Sequence, residues 1–250
     1  MSSLDELAKQ MPEHDRLILG GIVGSFNYGL DDTLSDTDIR YYVMPTLDDL
    51  VRGRKKRRIF LDGERDIQIH DIRRFPYFLN MGDLNQISVL FSPCLYIGEP
   101  YATLNHMLLE RREEIAEAVS SNIYNWGKSM FEKKMGQLDS FKLNEIVYQR
   151  NEYNTKAAAQ AIYHIKMIGK YLHNLEYQVK NPLENALNCR DIREEILAVK
   201  DGKYTRDEFL KMADDAFSSY AVIDRNSPST NTPGWVAAAI NDEIKKHIGD

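Results

Sequence analysis

A Gly-Ser pair and two aspartates one residue apart are the residues of this sequence best suited to chemistry. Gly24 and Ser25 follow the apolar run 17–23, and Asp36 and Asp38 stand where the next apolar run begins. Because side chains alternate along a strand, the two carboxylates should point to the same side, roughly 7 Å apart. Such a pair suits a hard divalent cation such as Mg²⁺, and the N–H groups of a Gly-Ser turn suit phosphates. The pattern predicts a site for metal-assisted nucleotidyl transfer.

This signature resembles that of the polymerase-beta-like nucleotidyltransferase superfamily, in which Gly-Ser, a short spacer and Asp-x-Asp follow one another. The flanking residues Tyr28, Gly29 and Arg40 narrow the likeness further. They are similar to a group of predicted bacterial and phage nucleotidyltransferases in which a helical region follows the catalytic domain. The likeness covers most of the chain and includes segments 156–160 and 192–204 of its second half.

The resemblance implies roles for the four signature residues. Gly24 and Ser25 would hold the β- and γ-phosphates of ATP or another NTP. Asp36 and Asp38 would bind two Mg²⁺ ions, with Mn²⁺ as an alternative, and a third carboxylate on a later strand would complete the metal site. The reaction implied is the transfer of a nucleoside monophosphate to a hydroxyl group, with release of pyrophosphate.

The third carboxylate is expected between residues 62 and 71, where several acids occur. Asp66 is favoured as the catalytic metal ligand, because alternation puts it on a polar face of its strand. Asp71 shares the opposite face with two isoleucines, and Glu64 has the parity of Asp66 but stands closer to the Asp-Gly turn. Glu64 and Asp71 stay open as alternatives.

Two more polar residues are candidates for nucleotide or phosphate binding. His70 shares the predicted face of Asp66, where it could contact a nucleotide or assist proton transfer; the alternative is a histidine hydrogen-bonded for structural reasons. Arg40 lies on the predicted face of Asp38. Its guanidinium could either neutralise phosphate charge or pair with Asp38.

Composition limits the class of protein. The net charge of −6 argues against a general nucleic-acid coating role, yet the run Arg52–Arg58 holds six cations in seven residues. This run could bind a nucleic-acid acceptor, or it could be a solvated arm.

No apolar run is long enough to cross a membrane, and the polar N-terminus is unlike a secretory signal. Cys94 and Cys189 fit no metal pattern and are expected to be reduced and buried in a cytoplasmic protein.

The pattern of elements predicts an α+β fold. Residues 1–100 should form a small mixed β-sheet nucleotidyltransferase domain, and residues 101–250 an all-helical domain that covers the active-site cleft. Strands are predicted over 17–23, 39–44, 58–61 and 66–70, and helices over 4–11, 25–29, 46–51, 72–81, 102–119, 121–135, 144–177, 191–199, 205–220 and 235–247. Thr46 should be the N-cap of the helix 46–51, and Thr205 with Glu208 should form a capping box at the start of the helix 205–220. Residues 227–234 read as a loop.

Two functions from other classes remain beside the enzyme. One is a non-catalytic NTP or nucleic-acid sensor that keeps the fold. The other is a partner-controlled toxin or antitoxin component, with the predicted helix 144–177 as its docking element. The acceptor (RNA, protein or small molecule) and the oligomeric state are left open by the sequence.

Overall fold

The sheet is built from the apolar runs in the N-terminal part of the chain. The structure, a computed structural model, describes residues 4–31, 36–140, 152–221 and 231–248. Its strands are β1 (Leu17–Val23), β2 (Thr37–Val43), β3 (Arg57–Asp62), β4 (Arg65–Asp71) and β5 (Leu95–Ile97). They form one five-stranded mixed sheet in the order β3-β4-β2-β1-β5. The β2–β4 pair is parallel and the other pairs are antiparallel.

Contacts divide the chain into two units. The sheet unit comprises residues 1–119 and 230–250, and the helical unit comprises residues 120–229. This division differs from the predicted boundary after residue 100, because two helices beyond that residue and the last helix belong with the sheet. That the helical region covers the active-site cleft stays a prediction.

Seven helices are described in the sheet unit, with short 3₁₀ helices at His14–Arg16, Ile72–Arg74, Ser88–Phe91 and Glu99–Tyr101. The α-helices are α1 (Leu4–Lys9), α2 (Leu47–Val51), α3 (Phe75–Asn80), α4 (Leu84–Ile87), α5 (Ala102–Glu110), α6 (Arg112–Ala118) and the last helix of the chain (Gly234–His247).

The two faces of the sheet differ in what covers them. On one face the apolar residues of β2 and β4, among them Ile39, Tyr41 and Ile67, form a core with α1. On the other face Tyr42 packs edge-on against Phe75 of α3, with ring centroids 4.9 Å apart. The alternation of β2 and β4 therefore buries one face in apolar packing and puts the polar side chains on the other.

The last helix is fixed to α5 and α6 by an aromatic clamp. The Trp235 indole N–H donates to Glu114 at 3.0 Å, and the Arg111 guanidinium stacks over the Trp235 ring, 3.9 Å from its centroid. Near the other end of the helix, the His247 ring packs on Tyr101. The sheet unit is thus closed by a segment that lies far from it in sequence.

The helical unit is organised around one long helix. In the described residues it contains α7 (Ser120–Met135), α8 (Thr155–Glu176), α9 (Pro182–Leu187), α10 (Arg193–Lys200) and α11 (Arg206–Ala221). Helix α8 packs against the other four and is largely buried. Gly127 of α7 lies against Ile168 of α8, where a Cβ atom would overlap the isoleucine side chain. The last helix of the sheet unit, Gly234–His247, follows these in sequence and is α12.

Several predicted elements are confirmed. Strand β1 has the predicted bounds, and Thr46 caps α2 through a capping box with Asp49. The capping box of Thr205 and Glu208 also forms, with Thr205 N donating to Glu208 Oε2 at 2.8 Å. Both cysteines are free, but only Cys189 is buried as predicted, whereas Cys94 is half-buried. Among the described helices, none has the length and apolar character needed to span a membrane.

Other predictions were wrong in detail. Residues 25–29 form successive turns and no helix, and the predicted helix 102–119 is interrupted at Arg111. Strand β5 and helix α9 were not predicted. Ser35, residues 144–151 of a predicted helix and residues 227–230 of the predicted loop lie outside the described residues.

Candidate active site

Asp38 and Asp66 face each other across the parallel pair β2–β4. Their Cα atoms are direct partners in the register of the two strands, and both stand on the face opposite the α1 core. Neighbouring strands lie about 4.8 Å apart, so the two carboxylates are adjacent. Asp36 precedes β2 and is exposed. The fold thus brings together two of the three acids that the sequence singles out.

The Gly24–Ser25 turn lies against the Asp38 carboxylate. Val23, at the end of β1, pairs with Asp38, and Gly24 continues with a φ of +72°. The Ser25 hydroxyl is half-buried and makes no hydrogen bond with the described residues. The turn is anchored by Asn27, whose side-chain amide donates a hydrogen bond to the Ser88 carbonyl at 3.0 Å. It therefore offers backbone N–H groups and a hydroxyl beside an acidic pair.

The charges of this pair are not fully compensated. Burial raises the pKa of Asp38, the nearby Arg40 guanidinium lowers it, and the adjacent Asp66 carboxylate raises it again. Oδ1 of Asp66 is buried and has no hydrogen-bond partner in the described residues. Two neighbouring carboxylates with a free buried oxygen suit a cation with oxygen ligands.

The fit of a metal ion rests on these donors. Within the described ranges, no group of three or more His, Cys, Asp or Glu side chains is arranged as a ready metal-ligand set. What the structure contains is the pair Asp38 and Asp66, with Asp36 close enough to raise the pKa of Asp38. The pair Asp38 and Asp66 is therefore chemically suited to a divalent cation, and Asp36 is a third acid close to Asp38.

The alternatives for the third carboxylate lie in different environments. Asp71 is fully buried, and its carboxylate accepts hydrogen bonds from the Arg73 backbone N–H at 2.9 Å and from the Arg73 guanidinium at 2.6 Å. Its oxygens already serve to begin the 3₁₀ helix Ile72–Arg74. Glu64 is exposed in the turn before β4. Asp66 alone of the three faces Asp38 in the strand register.

Arg40 is buried beside the carboxylates, with 7 % of its surface exposed. One guanidinium nitrogen lies 3.4 Å from Asp38 Oδ1, and the other donates to the Ile39 carbonyl at 3.1 Å. Of the two roles considered, this environment favours pairing with Asp38 over contact with a phosphate.

His70 is likewise below the surface, with 2 % exposed. Its ring packs edge-on against Phe78 at 5.1 Å, and Nε2 lies 3.5 Å from the Gln86 amide nitrogen. Burial, followed by nearby arginines, lowers its pKa to about 4. A neutral histidine in an aromatic layer fits the structural alternative better than nucleotide contact.

Most of the basic run is engaged within the protein. Arg52 and Arg54 pair with Asp48, Lys56 pairs with Asp49, and Arg58 pairs with Glu13. Lys55 and Arg57 make no ion pair or hydrogen bond with the described residues. The run is therefore mainly an ion-paired arm around α2, with two cations available.

Sequence reasoning missed the supports of the site. Asn27 holds the Gly24–Ser25 turn, and Gln86, next to His70, accepts a hydrogen bond from the Tyr42 hydroxyl at 2.8 Å. Both contacts join residues far apart in the chain, so no local spacing signals them. The polar amide of Gln86 inside an apolar stretch was the available hint.

The similarity of this chain to known proteins lies in its N-terminal part. No curated protein matches the sequence at a significant level. A family model described as RlaP, the RNA repair pathway DNA polymerase beta family, matches residues 1–149, which include the sheet and all the candidate site residues. This match covers more than half of the chain. The protein belongs to the RlaP family of polymerase-beta-like proteins.

Proposed function

We propose that this protein is a metal-dependent nucleotidyltransferase that moves a nucleoside monophosphate from an NTP to a hydroxyl acceptor. The observation that carries the proposal is the facing pair Asp38 and Asp66 beside the Gly24–Ser25 turn. Family membership supports the same reaction class. Two adjacent carboxylates with only one arginine paired to them, next to a turn suited to phosphates, are of little use in a protein that only binds an anion.

The roles of the residues follow from their donors and charges. Asp36, Asp38 and Asp66 would hold Mg²⁺, two ions in the full site, with Mn²⁺ as an alternative. When bound, such ions neutralise phosphate charge and lower the pKa of an attacking hydroxyl. The Gly24–Ser25 turn would orient the β- and γ-phosphates through its N–H groups and hydroxyl. Arg40 would hold the Asp38 carboxylate in place.

The bonds exchanged are those of a phosphoryl substitution. The acceptor oxygen forms a bond to the α-phosphorus, the bond from that phosphorus to the bridging oxygen breaks, and pyrophosphate leaves with the electron pair. The hydroxyl proton passes to solvent. Positioning of the two substrates is expected to supply much of the rate, because little covalent chemistry falls to the protein.

A nucleic acid is the acceptor that we favour, since the family description names RNA repair and since Lys55 and Arg57 of the basic run make no ion pair with the described residues. A protein hydroxyl or a small molecule would need neither cation. We also propose a cytoplasmic location. The NTP or nucleic-acid sensor and the partner-controlled component are the alternatives if transfer is absent.

Transfer of label from each of the four α-³²P NTPs into RNA, protein and small-molecule fractions tests the proposal. With Mg²⁺, the wild type should label one fraction, and Asp38→Asn and Asp66→Asn should not. Asp62→Asn is the matched control, because Asp62 is an exposed acid in the β3–β4 turn region. NTP binding without transfer into any fraction would favour the sensor function instead.

A further inference from the structure

The edge strand β3 carries an unusual surface on the same side of the sheet as the carboxylates. Its register with β4 pairs Leu61 with Asp66, Ile59 with Gln68 and Arg57 with His70. Directly paired residues of antiparallel strands point to the same face. Arg57, Ile59 and Leu61, here called the β3 platform, therefore extend the carboxylate face toward the edge of the sheet.

The β3 platform exposes large apolar side chains where a surface strand usually has polar ones. Leu61 is 77 % exposed and Ile59 is 49 % exposed. The alternate residues of the strand are accounted for, since Phe60 packs on the α1 core and Arg58 stacks over Phe60 and pairs with Glu13. The side chains on one face of β3 thus pack within the sheet unit. The apolar side chains on the other face make no contribution to the core that would explain their presence.

The charge on the platform is also free. Arg57 makes no ion pair or hydrogen bond with the part of the chain that the structure describes, unlike its neighbours Lys56 and Arg58. It stands four residues from Leu61, about 13 Å along an extended strand. The order along the face is therefore carboxylates, two apolar side chains, and a cation.

We propose that the β3 platform binds the acceptor, a single nucleic-acid strand whose terminal hydroxyl lies at Asp38 and Asp66. This inference rests on the proposed function and adds to it where the acceptor lies and what it is. A single strand presents apolar base faces and a phosphate backbone together, which matches Leu61, Ile59 and Arg57. The distance from Leu61 to Arg57 exceeds one nucleotide, so the acceptor is an oligomer.

Binding of short labelled oligonucleotides at several salt concentrations, without NTP, tests this inference. RNA and DNA of one sequence are compared by fluorescence anisotropy. Arg57→Gln should weaken binding and lower the slope of log K against log salt by about 0.7, the contribution of one phosphate contact on a single strand. Arg58→Gln is the matched control: it removes the same charge one residue away on the opposite face, and it should leave the slope unchanged.

A second variant tests the apolar part of the β3 platform. Leu61→Ser should weaken oligonucleotide binding about tenfold with an unchanged salt slope, because it removes apolar contact and no charge. Thermal melting should match the wild type, since the side chain is exposed. Equal salt slopes for Arg57→Gln and Arg58→Gln, or a wild type that binds no oligonucleotide, would overturn the inference.

Two further outcomes separate this inference from the proposed function. Transfer to a small hydroxyl compound without any oligonucleotide binding would refute the β3 platform and keep the nucleotidyltransferase. A wild-type dimer that Leu61→Ser converts to a monomer, measured by light scattering, would show that a second copy covers β3 and would refute the acceptor role.

Discussion

A Cβ atom on Gly24 would lie 2.5 Å from Oδ2 of Asp38. A side chain at residue 24 would have to displace the Asp38 carboxylate, and the φ of +72° there also favours glycine. The proposed phosphate-binding turn and a proposed metal ligand are therefore in direct contact, so that a side chain added to the turn would move the carboxylate. Glycine at this place sets the position of the carboxylate as well as the shape of the turn.

Gly24→Ala should consequently affect activity more than stability. The backbone strain of a positive φ costs about 1–2 kcal/mol, and displacing Asp38 should reduce nucleotide transfer about 100-fold. Gly63→Ala is the control, because Gly63 has a φ of +61° and nothing within 4 Å of its would-be Cβ. Equal transfer rates for the two variants would contradict the coupling of Gly24 to Asp38.

Variants of Asp66 and Asp71 should distinguish an acid needed for activity from one needed for stability. Asp66→Asn removes a carboxylate that repels Asp38, so the free energy of unfolding should stay the same or rise, while transfer falls at least about 100-fold. Mg²⁺ should also raise the melting temperature less than in the wild type.

Asp71→Asn should show the reverse pattern. It weakens buried, charge-assisted hydrogen bonds to Arg73, which should lower the free energy of unfolding by about 2 kcal/mol. Transfer per folded molecule should be retained. If Asp71→Asn abolishes transfer at full stability, or Glu64→Gln does so, the assignment of Asp66 is wrong.

The helical unit should lose stability in mild acid through His164. Burial lowers the pKa of this histidine to about 4, whereas an unfolded histidine has a pKa of about 6.5. The unfolded chain therefore binds the proton more readily between these values, and the free energy of unfolding should fall by up to about 3 kcal/mol as the pH drops from 6.5 to 4. The stabilisation is fully present above pH 6.5.

Urea unfolding at several pH values between 4 and 7 checks this expectation. His70 contributes in the same direction, because its pKa is also lowered to about 4. The informative quantity is thus the difference between the wild type and His164→Gln, which should have a flatter pH dependence. Parallel pH profiles would show that the pKa of His164 is not lowered in the folded protein.

The hydrogen bond and the ring stacking of Trp235 in the aromatic clamp should make separate contributions to stability. Trp235→Phe keeps a ring under Arg111 and removes the hydrogen bond to Glu114, which should cost about 1 kcal/mol. Trp235→Ala also removes the ring and should cost about 2 kcal/mol. Hydrogen exchange of residues 236–247 measures the release of the helix, and unchanged protection in Trp235→Ala would contradict the role of the clamp.

Local signals predicted much of the fold. The apolar run of β1 and the N-cap at Thr46 depend on neighbours in sequence, and both formed as expected. Strand β5 was missed because three residues carry too little periodicity, and its pairing with β1 depends on residues far away in sequence. The break at Arg111 is likewise invisible in an apolar pattern that continues through it.

Sequence patterns predicted which face of the sheet carries the candidate site, but not which residues on that face are buried. Alternation put Arg40 and His70 on the carboxylate face, which agrees with the strand register. It could not reveal that α3 and α4 bury one end of that face, because this packing joins Tyr42 to Phe75 and Gln86. The same limit applied to the basic run, whose cations pair with acids of α2 and with Glu13.

The sheet unit is interrupted in sequence by the whole helical unit. A ribosome making this chain would release strands β1 to β5 long before α12, the segment that contacts α5 and the 3₁₀ helix Ile72–Arg74. Until then the surface that α12 covers stays open to water and to other chains. Any fragment cut at residue 149 would be left in that unfinished state, although it contains every candidate residue of the site.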